Sequence, residues 1–170
     1  MQKWLAGAIA GTTATAPMTV AMKALQQRAP SARRRAIPPR EITRELARRA
    51  GLPPRRNGAA EDAATTASHF GYGGAIGALY PYTAAHLPAP TLVRGALFGA
   101  GVWAVSYLGW LPAAGILRPA TREPAGRNAM MIGAHLVWGV ATALLAVRLA
   151  QSEADGEEGD AEAGAPSGPA

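Results

Sequence analysis

Four long intervals without a charged side chain constrain this chain more than any other feature. Trp4 to Met22 is a 19-residue run, WLAGAIAGTTATAPMTVAM, and Ala63 to Val93 carries no charge when its histidines are neutral. Gly95 to Leu117 and Ala129 to Val147 complete the set. A helix crossing a bilayer core of about 30 Å needs roughly 20 apolar residues. A soluble bundle would place polar residues along the outer face of each helix, and these intervals lack them. The pattern predicts an all-α fold, an integral membrane four-helix bundle over residues 1–150, with spans near 4–22, 63–86, 95–117 and 129–147. A cleaved signal peptide is the rival reading of the first interval, with Lys3, an apolar middle and Ala14-Thr15-Ala16 before a cut. Pro17 stands just after that cut and opposes processing, so the interval reads as a retained span.

The mean hydropathy of +0.03 conceals these runs, because a basic segment (residues 23–62) and an acidic tail (residues 151–170) offset them. The chain holds 17 Lys and Arg against 11 Asp and Glu, a balance that points to an anionic partner, nucleic acid or lipid. The position of the charges separates the two. Eleven basic residues lie between Lys23 and Asp62, and Arg118, Arg122 and Arg127 add three. The opposite side receives Lys3, Arg94 and Arg148. Cytoplasmic loops carry the positive excess, so fourteen against three predicts a multi-pass protein of the bacterial inner membrane with both termini external. The tail, rich in Ala, Gly and acid without an aromatic residue, is expected to be disordered.

Within the basic segment, Pro39 suits a first helical turn, while Gly51 and Pro53 make a stop. Ile42, Leu46 and Ala50 form a narrow apolar stripe between them. A short basic amphipathic helix beside a membrane is expected to lie on the anionic inner leaflet, through Arg33, Arg34, Arg35, Arg40, Arg44, Arg48 and Arg49. A solvated loop without a specific partner is the alternative. No aromatic residue from Lys23 to Asp62 is available to stack on bases, which argues against nucleic acid.

The segment HFGYGGAIGALYPY, residues 69–82, raises the question of a phosphate-binding loop. Gly71 and Gly73 match a dinucleotide fingerprint, but the third glycine position is Ile76 and no phosphate-loop lysine follows. Small residues four apart instead let membrane helices approach closely. Gly7 and Gly11, Gly73 and Gly77, and Gly95 and Gly99 have that spacing, with Gly139 and Ala143 as a weaker version. These glycines are expected to be helix-packing surface.

The absence of cysteine excludes disulfides, thiolate metal sites and cysteine nucleophiles. His69 and His135 each stand seven residues beyond a polar boundary, Asp62 and Asn128, and so share a depth of roughly 10 Å at 1.5 Å per residue. They are the candidate cofactor-binding residues and are expected to face each other inside the bundle. Two ligands without a carboxylate make a thin metal site, so no metal and no cofactor is assigned. Ser106 has no His or acid at suggestive spacing, and no catalytic residue is assigned. The leading reading is a non-enzymatic structural or envelope-homeostasis protein that packs as a homo-oligomer or in a membrane complex. A small-solute channel or transporter is the alternative, weakened by spans free of Asp, Glu, Lys and Arg. A haem-binding protein through the paired histidines is the second.

The order of short motifs also carries a likeness. AGTTATAPM in the first span, PPRE in the basic loop, HFGYGGAIGALYP, RGALFGAGVW and GAHLVWG follow one another over roughly residues 1–148. This arrangement resembles the YagU-like group of small bacterial inner-membrane proteins, a likeness that implies a multi-span membrane protein and no residue role.

Overall fold

The computed structural model describes residues 2–28, 38–52 and 58–163, with side chains as far as Glu153. Among the described residues seven α-helices follow one another: α1 (Lys3–Arg28), α2 (Pro38–Arg49), α3 (Gly58–Gly77), α4 (Tyr80–Thr83), α5 (Thr91–Ala104), α6 (Leu111–Ala113) and α7 (Ala125–Ala163). A π-helical segment, Val105–Trp110, joins α5 to α6 and contains a non-helical kink at Gly109. No strand occurs among the described residues, so the fold is all-helical.

Among the described residues, three helical stretches are long and apolar enough to cross a membrane: Lys3–Gln27, Thr91–Ala113 and Ala125–Glu153. The first and last cover the first and fourth uncharged intervals and extend them, while the middle one overlaps the third and ends four residues short of Leu117. The first is continuous through Pro17, and Thr15 and Thr19 bond the carbonyls of Gly11 and Thr15, at 2.8 and 2.7 Å. The third begins four residues early and takes in Arg94. That guanidinium donates to the carbonyls of Ala89 at 2.6 Å and Ala85 at 3.0 Å, which settles a charge in the first turn.

The second interval differs from expectation. Instead of one helix over 63–86, α3 ends at Gly77, Ala78 and Leu79 form a turn, and α4 begins at Tyr80. Pro81 supplies the reason, since a proline ring clashes with the carbonyl four residues back and offers no N–H. Near the start of α4 that missing donor costs nothing. Glu61 and Asp62 lie inside the first turns of α3. The acidic tail differs too: residues 151–163 continue α7 as helix, while residues 164–170 lie outside the described residues. An existing helix propagates at far lower cost than a new one nucleates, and Ala and Glu favour it.

Helices α1 and α7 pack together at the centre; α3 lies on α1, α5 lies on α7, and α2 lies on α3. Backbone approaches set this arrangement. A methyl group added at Gly7 would stand 2.5 Å from the carbonyl oxygen of Gly77, and one added at Gly11 would stand 2.7 Å from the Gly77 Cα and closer still to the Gly73 carbonyl. On the other side, a methyl at Gly95 would stand 2.6 Å from the Gly139 carbonyl oxygen, and one at Gly99 would collide with the carbonyl of His135. The core they enclose is made of small residues, Ala10, Ala14, Ala134 and Ala143 among them, with Met18, Met22, Met131 and Trp138.

Gly99→Ala and Gly77→Ala should therefore lower the thermal midpoint of the detergent-solubilised protein, by overpacking of about 1–3 kcal/mol each. Gly101→Ala is the matched control, because a methyl there meets nothing within 4 Å and should leave the midpoint unchanged or higher.

Candidate functional site

The close glycine contacts lie toward one end of the bundle. Toward the other end the helices diverge around a cavity of about 170 Å3, which α2 covers. Thr15, Met18 and Met22 of α1 form one wall, and Ser68, His69, Tyr72 and Ile76 of α3 another. Val102, Ser106 and Tyr107 come from α5 and the π-helical segment, and Met131, His135 and Trp138 from α7. Pro39, Ile42, Thr43 and Leu46 of α2 close the end. Among the described residues, no Asp, Glu, Lys or Arg lines it.

The π-helical segment matters here. A π turn adds one residue to the helical repeat, so the face presented to a neighbour shifts; such segments are frequent at functional sites. Ser106 and Tyr107 of this segment both border the cavity. The Ser106 hydroxyl and the Tyr72 hydroxyl lie 3.1 Å apart and bridge α3 to the segment.

His69 and His135 both border this cavity. His135 is buried; its Nδ1 bonds the Met131 carbonyl at 2.8 Å, and its ring meets Tyr107 edge-on with centroids 5.7 Å apart. The Nε2 of His69 is buried without a hydrogen-bond partner among the described residues. The rings thus share one chamber, and no hydrogen bond joins them among the described residues. Thr15 and Thr142, the buried hydroxyls of α1 and α7, bond carbonyls of their own helices, so His69 stands apart from them.

Helix α2 is held as a cover by ion pairs that sequence spacing did not expose. Arg40 and Arg44 both donate to one Glu61 oxygen, at 2.6 and 2.5 Å, and Arg127 of α7 donates to Glu41 at 2.9 Å. The hydroxyls of Thr43 and Ser68 lie 2.8 Å apart. Arg48 and Arg49 are turned back on Glu45 of the same helix. Ile42 and Leu46, the apolar stripe of the sequence, lie on the cavity side. Arg33, Arg34 and Arg35 fall outside the described residues. The signal that could have located the cover is the shared period of that stripe with Thr43, but its carboxylate partner sits on another helix.

Outward, the bundle presents large apolar side chains: Val20 and Val105 are each 66% exposed, Leu92 57%, Leu97 54%. Small residues inside and large apolar residues outside, on helices long enough to span, are compatible with a membrane protein of several helices. The chain belongs to a family of unknown function, DUF6789, whose profile matches residues 1–155. No curated protein and no solved structure matches the chain.

Hydrogen bonds from Arg40 and then Arg44 hold the Glu61 carboxyl down at about 2, and those from Arg48 and Arg49 do the same for Glu45. A depressed carboxylate contributes stability that is complete above its ordinary value of 4.5 and is lost as pH falls through its folded value. Helix α2 should stay docked from pH 7 to well below 4.5 and release as pH approaches 2. An environment-sensitive fluorophore on Leu46→Cys reports this as a red shift; the same shift should occur at neutral pH in Glu61→Gln.

Proposed function

We propose that the protein is a four-span, non-enzymatic protein of the bacterial inner membrane, with the basic loop and α2 on the cytoplasmic side and both termini external. The observation that carries the reading is the inverted packing, glycine and alanine against each other within and bulky aliphatic residues outward. In lipid there is no hydrophobic drive to bury large side chains, and close backbone contact holds helices together instead. The fourth span in this reading is α3 with α4, which starts with Glu61 and Asp62 at the boundary and ends at Tyr80 and Tyr82. Its own contact with α1 along Gly73 and Gly77 supports its crossing beside the first span.

The sidedness is supported by the Arg127–Glu41 pair, which brings the first turn of α7 to α2 of the basic segment. At the far end, Gly7 of α1 lies against Pro81 of α4. The likeness to YagU-like proteins fits the same reading of a small bacterial inner-membrane protein that supports the envelope, alone or in a complex, with α2 against an anionic leaflet. A channel finds less support: the cavity's polar side chains gather beneath α2, and the glycine contacts between α1 and α3 close the path beyond them. A haem finds less as well, because a chamber of about 170 Å3 is smaller than a porphyrin needs.

A reporter active only in the cytoplasm should give strong signal when inserted within residues 29–37 and none when fused to the C-terminus. Strong signal at the C-terminus would overturn the topology.

A further inference from the structure

The two outer helices, α3 and α5, barely touch each other; each packs instead on a central partner. A groove of about 410 Å3 runs between them on the outer face of the bundle. Its walls are aliphatic and aromatic, with Ile76 and Leu79 on one side and Leu97, Phe98 and Val105 on the other. Leu79, Leu97 and Val105 are 50%, 54% and 66% exposed, so the groove opens where the bundle meets hydrocarbon. Tyr72, Ile76, Val102 and Ser106 border both this groove and the inner cavity, so the two adjoin at these residues. The bond between the Tyr72 and Ser106 hydroxyls spans the boundary between them.

The geometry points to a binding site for a lipid-soluble molecule with a neutral, single-ring, hydrogen-bonding headgroup on an apolar chain, of the quinone class, admitted sideways from the bilayer between α3 and α5. Size limits the headgroup: about 170 Å3 is close to the engineered apolar cavity of roughly 150 Å3 that holds one benzene. Charge limits it further, since a phosphate or carboxylate headgroup would enter a chamber that no cationic side chain lines among the described residues. The buried Nε2 of His69 without a partner supplies the attraction, because an unsatisfied buried polar group is costly until a ligand pairs with it. A quinone carbonyl accepts from Nε2–H, and the hydroxyl of the reduced form donates to a bare Nε2, so either tautomer finds a match. The ring then lies among Tyr107, Trp138 and His135, and the chain follows the groove past Ile76 and Val102.

The test uses the full chain in nanodiscs and a decyl-substituted dimethyl-1,4-benzoquinone, followed by quenching of tryptophan fluorescence, since Trp110 and Trp138 line the chamber. Saturable quenching is expected. His69→Leu should weaken it roughly tenfold, as loss of one buried hydrogen bond does, while His69→Gln, which keeps a donor and an acceptor, should retain most of it. Gly101→Phe should weaken it comparably, because a side chain added there fills the groove without meeting another atom within 4 Å of its first carbon. Thermal melts of each variant exclude unfolding as the cause. Quenching that rises linearly with probe, or equal affinities in wild type, His69→Leu and Gly101→Phe, would show partition into lipid alone and sink the proposal. Decyl phosphate or decanol competing as well as the quinone would overturn it equally, by showing a chain site indifferent to the headgroup.

Discussion

Backbone approach at glycine is the contact on which the rest of this bundle depends. Where Gly11 meets Gly77, and where Gly99 meets Gly139, no Cβ stands between the helices, and main-chain atoms lie where side chains would ordinarily be. Within a bilayer, lipid tails are as apolar as leucine, so burying leucine gains little and packing must supply the attraction. Many small dispersion contacts at close range do so. Trp138 then couples the two glycine seams: from α7 its Nε1 donates to the Gly11 carbonyl at 3.0 Å, a bond between the helices at the centre.

This economy of side chains has a geometric consequence. Each outer helix packs along its glycines on one central partner, α3 on α1 and α5 on α7. The gap between them follows from how tightly the seams close. Phe98 illustrates the transition, stacked at 5.5 Å on Trp138 and edge-on at 5.3 Å to Tyr80, filling the bundle where the groove ends. Beyond it the π-helical segment turns Ser106 and Tyr107 inward, and the space opens into the chamber of the two histidines.

The parts of this architecture that were legible in the sequence are those governed by local composition. Uncharged runs located three helices long and apolar enough to span a membrane, because exclusion of charge from hydrocarbon acts on each residue by itself. The glycines with four-residue spacing stand at helix contacts, while His69 and His135, expected to face each other, border one cavity without a hydrogen bond between them among the described residues. What escaped was set by tertiary contact or by single-residue geometry. Pro81 ended α3 early, and although its chemistry was visible, the uncharged run continued across it. The π-helical segment has no compositional mark in VSYLGW. The pairing of Arg40 and Arg44 with Glu61 joins residues 21 and 17 apart on different helices, so a loop rich in arginine read as a surface for lipid when part of its charge is spent on holding α2 in place.

That pairing also leaves α2 held to the bundle largely by charge. Its ion pairs sit near the end of the bundle, with Arg44 56% exposed, and exposed pairs are screened by water and salt. It has no glycine seam of its own, and its apolar stripe is two residues long where it borders the cavity. Local openings draw on elements with few buried apolar contacts and solvent-reached bonds, and α2 meets both conditions while α1 and α7 meet neither. The bundle thus combines a rigid half, fixed by backbone contact, with a half that encloses space under a cover held by charge. Rigidity comes from what glycine leaves out, and access is left to the elements that the glycine seams do not bind.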